Sequence, residues 1–174
     1  MLYMSYESED ISKILRYSDA ESIKQSIIRI LRQSLESEDE IEKRRIRRIY
    51  VPLPYEIRSK IKIAALQALK EIGYWDPEIF DSIFLLAKND PDYEIRRLAE
   101  ETIIAVLRKT NHKKESLLQV LNAINKREIL ISPIDAVKAS GIEAAEELLK
   151  DKNVSKDVKE LIKFCLEAIK NEKS

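Results

Sequence analysis

The chain has 174 residues, with 31 Lys+Arg against 31 Asp+Glu, no formal net charge, 44% hydrophobic and 36% charged residues. That balance is too apolar for disorder, and it excludes a chain basic enough to bind nucleic acid over its whole surface; only a local patch could do so. Two glycines and a single cysteine exclude a glycine-rich phosphate cradle and an internal disulfide, and fit a reducing cytosol.

The segment Met1 to Glu9 is short and soon acidic, unlike a signal peptide. The first helical stretch carries Ile23, Ile27, Ile30, Leu31 and Leu35 at steps of three and four. Ser37 followed by Glu40 has the spacing of a capping box and opens a short helix to about Tyr50. Pro54 suits a helix start, where its missing N–H costs nothing, and Gly73 suits the stop. Between them Ile57, Ile61, Ala64, Ala65, Ala68, Leu69 and Ile72 form one apolar stripe. Asp76-Pro77 opens a helix with Ile79, Phe80, Ile83, Phe84 and Leu86 inward. Asn89-Asp90-Pro91-Asp92 is a tight turn that supplies the next N-cap. The helix it caps runs through Ile95, Ala99, Thr102, Ile103, Val106 and Leu107. Lys114 to Ile124 reads as a further helix, while 126–133 is left open between loop and strand. Pro133 to Ala139 and Ile142 to Leu149 are two short helices broken at Ser140-Gly141. Asn153 to Lys156 turns into a last helix carrying Val158, Ile162, Cys165, Leu166 and Ile169.

Four of these helices share one pattern. Tyr55-Glu56-Ile57-Arg58 returns as Tyr93-Glu94-Ile95-Arg96, with looser copies at Ile23-Lys24 and Val158-Lys159. A cation follows the first apolar residue in each: Lys24, Arg58, Arg96 and Lys159. Self-similarity at a spacing of a few tens of residues marks stacked helical repeats. The expected fold is all-α, a single domain in approximate units 9–35, 37–73, 76–110, 113–140 and 142–171. The first and fourth units are the least regular; irregular end units are expected, since a terminal repeat must face water on one side.

The pattern resembles HEAT repeats within the armadillo-like helical superfamily. Pro77 to Leu107 carry it best, with Asp90 in the turn, Ile95-Arg96 at the start of the second helix and Ala99 three residues beyond the arginine. The resemblance implies a right-handed α-solenoid of about four to five antiparallel helix pairs. It also implies a ladder of Asp and Arg along the stack, with Arg58, Arg96 and Lys159 as basic rungs. Asp90 stands six before its cation; Ser18, Pro52 and Asn153 hold the equivalent positions elsewhere.

Signals for chemistry are few. His112 is the sole histidine, at a helix junction where a surface or capping role fits better than catalysis. One His and one distant Cys cannot make an ordinary zinc site. Cys165 lies on the apolar stripe of the last helix and reads as a small core residue. Glu36, Glu38, Asp39, Glu40 and Glu42 could gather a divalent ion, but Asp39 and Glu40 stand four before Lys43 and Arg44, the order that favours ion pairs on a helix. No metal, cofactor or catalytic residue is therefore expected. No apolar run approaches the roughly 20 residues of a membrane span. Abundant Ile, Lys and Glu are the composition of a thermophilic source.

These features lead to a non-catalytic, cytoplasmic scaffold or adaptor that binds a protein partner through its concave face. Arg58, Lys62, Arg96, Arg97, Lys159 and Lys163 would line that face. The alternative is a nucleic-acid-binding module using Lys43, Arg44, Arg45, Arg47 and Arg48, with Tyr50 and Tyr55 nearby for stacking. Tyr55 and Tyr93, with Tyr74 and Trp75, either form an aromatic strip for a partner or fill gaps between units.

Overall fold

The computed structural model describes residues 21–47 and 52–173. These residues form nine α-helices and no strand: α1 Glu21–Ser34, α2 Glu38–Ile46, α3 Tyr55–Ile72, α4 Pro77–Asn89, α5 Tyr93–Lys109, α6 Lys113–Asn125, α7 Pro133–Ser140, α8 Ile142–Lys150 and α9 Lys156–Glu172. The protein is all-helical. None of these helices is long and apolar enough to cross a membrane.

Local chemistry sets the boundaries. The Ser37 hydroxyl accepts from the Glu40 N–H at 3.3 Å, one half of a capping box, while the Glu40 carboxylate takes Lys43 instead at 3.1 Å. Asp76 accepts from the N–H groups of Glu78 (3.0 Å) and Ile79 (3.1 Å) while Pro77 fills the first turn. Asp92 caps α5 through the Glu94 N–H at 2.9 Å, and Ser155 caps α9 through the Val158 N–H at 3.3 Å. His112 precedes α6, but its side chain caps nothing; the exposed ring lies 5.4 Å from that of Trp75. Gly73 ends α3 with φ +70°, and a Cβ there would stand 2.3 Å from the Cβ of Lys109. Both backbone and space therefore demand glycine. Lys109 in turn donates to the last carbonyls of α3, Lys70 at 2.8 Å and Glu71 at 3.0 Å.

The helices pack in two rows. In one, α3 touches α5, α5 touches α7 and α7 touches α9. In the other, α4 touches α6 and α6 touches α8, and the members of each consecutive pair α4–α5, α6–α7 and α8–α9 touch across the rows. Helix α1 lies against α3 and α4. Between α3 and α5 the fully buried Thr102 hydroxyl bonds the Leu98 carbonyl of its own helix (2.7 Å) and approaches the Leu66 carbonyl of α3 (3.2 Å).

The apolar register holds best in α5, where Ile95, Ala99, Thr102, Ile103, Val106 and Leu107 are all fully buried. In α9 Val158, Ile162, Cys165 and Ile169 are buried, and burial pushes the Cys165 thiol pKa up. The stripe expected for α3 needs correction. Ala65, Ala68 and Leu69 are buried, joined by Leu66 and Lys62, but Ile57 is 42% exposed and Ile61 and Ala64 are only half-buried. The inward face begins one turn later than the apolar spacing suggests, because an ion cluster fills the first two turns.

Candidate functional site

The repeated tetrad does the same local work twice. Arg58 Nε donates to the Leu53 carbonyl at 2.8 Å, and its guanidinium lies 5.6 Å from the Tyr55 ring centre. Arg96 donates to the carbonyls of Asp90 (2.6 Å) and Pro91 (3.3 Å), 5.7 Å from the Tyr93 ring. Each arginine reaches back over the first turn to tie the incoming loop to its helix, and the tyrosine three residues earlier shields it. Asp90 does pair with a cation of the neighbouring unit, but that cation is Lys62, and Arg96 takes the Asp90 backbone.

Lys62 is not the surface cation expected. It is 1% exposed, with its ammonium 3.0 Å from Asp90 Oδ2 and 2.6 Å from Glu38 Oε1. Arg58 Nη1 contacts both oxygens of the same Glu38 carboxylate, at 2.5 Å for Oε1. Burial alone would raise the Glu38 pKa, but the hydrogen bonds from Arg58 and Lys62 outweigh it, and the carboxyl sits below the usual range. The Tyr55 hydroxyl lies 3.4 Å from Asp90 Oδ1; burial first, and the negative charge of Asp90 next, push its pKa up to about 12.

The other predicted contact residues are scattered. Arg97 is exposed and pairs with Glu101 at 3.2 Å, and Glu101 also takes Lys70 at 3.2 Å. Lys163 is exposed, while Arg96 and Lys159 are half-buried.

Three cations of the basic segment are paired with acids. Lys43 lies 3.0 Å from Asp39 and 3.1 Å from Glu40, Arg44 2.8 Å from Glu36, and Arg45 2.5 Å from Glu42. Arg47 is exposed just beyond the helix, and Arg48 falls outside the described residues, as does Tyr50. The five acids are thus engaged by neighbouring cations, and no group of three metal-ligating side chains occurs among the described residues. Of the aromatic residues, Tyr93 is 63% exposed, and Trp75 is half-buried with its indole N–H on Gln119 at 3.1 Å.

One recess was not foreseen. A groove of about 510 Å³ crosses α3, α5 and the approach to α7, lined by Lys70, Glu101, Ile104, Arg108, Leu130 and Asp135 among others. Its wall comes from the stretch left open by the periodicity. Arg127 turns out of α6 with φ +58°, and the chain then runs without helix through residues 129–132. Ile129 and Ile131 are buried at 4% and 8%, whereas Leu130 between them is 90% exposed. The alternation Ile-Leu-Ile, read at period two, was the available signal.

Comparison with protein-family models, curated proteins and solved structures found no match for this chain.

Proposed function

We propose that this chain is a HEAT-like, right-handed helical solenoid acting as a non-catalytic scaffold, and that it holds a protein partner on the open face of the row α3, α5, α7 and α9. The observation carrying this reading is Leu130, 90% exposed on the wall of the groove that crosses three helices of that row. A large apolar side chain set in a charged rim is the usual anatomy of a protein contact. The repeated tetrad and the successive contacts within each row support the solenoid. Lys70 and Arg108 supply cations around that contact. The pairing of Lys43, Arg44 and Arg45 with acids of the same segment weighs against the nucleic-acid alternative.

The test is capture from native extract with wild type and with Leu130→Asp. Leu130 is almost fully exposed, so the substitution leaves the fold intact by circular dichroism. A stoichiometric protein retained by wild type and lost by at least about tenfold in the variant supports the reading. Equal capture by both, or tight binding of DNA or RNA at low salt with no protein partner, refutes it.

A further inference from the structure

The two acids of the buried ion cluster are held very differently. Asp90 is fixed from three sides: by Lys62 at 3.0 Å, by the Tyr55 hydroxyl at 3.4 Å and by the Asp92 N–H at 2.9 Å. Its side chain has no exposure at all. Glu38 is bound through Arg58 and Lys62, and its side chain is 26% exposed. It opens α2, and α2 makes no close backbone approach to any other described helix. The buried residue of that helix is Ile41. Among the described residues, helix α2 is therefore a short arm that seats one carboxylate in a socket owned by α3.

Taking the arm away leaves two cations, Arg58 and Lys62, against one anion, Asp90, so the vacated socket carries a net charge of +1. An uncompensated charge buried beside Lys62 is costly. The socket calls for one carboxylate: Arg58 Nη1 faces both of its oxygens and Lys62 donates to one of them. A cavity of about 540 Å³ opens beside Glu38, between α2 and the end of α4, with Leu85 and Asn89 on its far wall. Ser37 to Glu40 and Lys43 form its near wall, so displacing α2 opens this space along the end of α4.

We propose that Arg58 and Lys62 form a binding socket for an acidic side chain in the first turn of a partner helix, and that Glu38 occupies it in the resting chain as a built-in stand-in. The socket lies apart from the groove at Leu130 and stands whether or not that groove binds anything. The partner must displace α2, so its acid competes directly with Glu38. An acid in a first helical turn is favoured by the helix dipole in the partner as it is in α2.

Charge reversal tests this in the full-length chain. Glu38→Lys puts a third cation at the socket and expels α2. Hydrogen exchange at the α2 amides then rises about tenfold or more over wild type, while α4 to α9 stay unchanged. A labelled peptide copying residues 36–46 binds the Glu38→Lys protein about tenfold more tightly than it binds wild type. The same peptide with Gln in place of its Glu38 shows no such gain, and adding Arg58→Ala to the protein abolishes the gain of the native peptide. Should Glu38→Lys lose its helical signal, Glu38→Gln replaces it with the same peptides and criteria. Unchanged protection of α2, equal binding of the two peptides, or binding that survives Arg58→Ala overturns the proposal. Inorganic phosphate that displaces the peptide at lower concentration than acetate overturns the assignment to a carboxylate.

Discussion

Lys62→Met asks what the buried ammonium contributes. Methionine keeps most of the length and apolar stem of the lysine, is one atom shorter, and removes the charge and its hydrogen bonds. Asp90, with no side-chain exposure, loses its cation and keeps the Tyr55 hydroxyl and the Asp92 N–H. Glu38 keeps Arg58. Breaking one side of a buried ion pair costs about 3 to 5 kcal/mol, and the bonds that survive here place the loss near the low end, about 3 kcal/mol. With a urea slope of about 2 kcal/mol/M, the unfolding midpoint drops by roughly 1.5 M at an unchanged slope. Lys62→Met/Asp90→Asn removes both charges and is more stable than Lys62→Met alone, giving a coupling of at least about 1 kcal/mol. A single-variant loss below about 1 kcal/mol, or strict additivity in the double variant, would show that the cluster is not a coupled buried unit.

Gly73→Ala forces a Cβ into the left-handed region and against Lys109; it should cost about 2 kcal/mol by thermal unfolding, and a neutral result would refute the packing given for that corner. Arg127→Gly relieves a non-glycine residue at φ +58° and should raise stability by about 1 kcal/mol in urea unfolding; a loss of stability would mean that the arginine side chain holds the loop. The Glu38 carboxyl lies below its ordinary value of 4.5. Its stabilisation is thus complete above that value and fades as pH falls through the lowered one. Wild type should accordingly lose more stability than Glu38→Gln between neutral pH and about pH 3, and parallel profiles would count against the Arg58 and Lys62 bonds.

The helices were legible because their ends are local events. Ser37, Asp76, Asp92 and Gly73 each act within three or four residues, a range that sequence spacing reports directly. The inward face of α5 was legible for the same reason: its buried positions are apolar, or Thr, at helical period. The face of α3 was not, because periodicity assumes that what is buried is apolar. Lys62 is among the most buried residues of the chain, and its compensation comes from Glu38 and Asp90, 24 and 28 residues away. Nothing in the local pattern announces such a pairing. Ile57 was misplaced by the same assumption, since it sits in the turn where ionic contacts take the place of apolar ones. The groove at Leu130 was missed because residues 129–132 follow period two for too short a run to count as a strand.

The repeated cations also carry a lesson about reading repeats for function. Arg58 and Arg96 recur at the same place in two units, which invites the idea of a regularly charged binding face. In both units the arginine is occupied with the loop that enters its own helix, at 2.8 Å to Leu53 and 2.6 Å to Asp90, under its own tyrosine. A device needed to close every turn will recur in every unit that has that turn, whatever the protein binds. Differences between the units are therefore the better guide to recognition. At Glu38 one unit docks an acid of its own first helix on the cations of its second, and at residues 126–132 the helical pattern breaks and presents Leu130. Both places depart from the repeat, and each sets chemistry beside an open cavity.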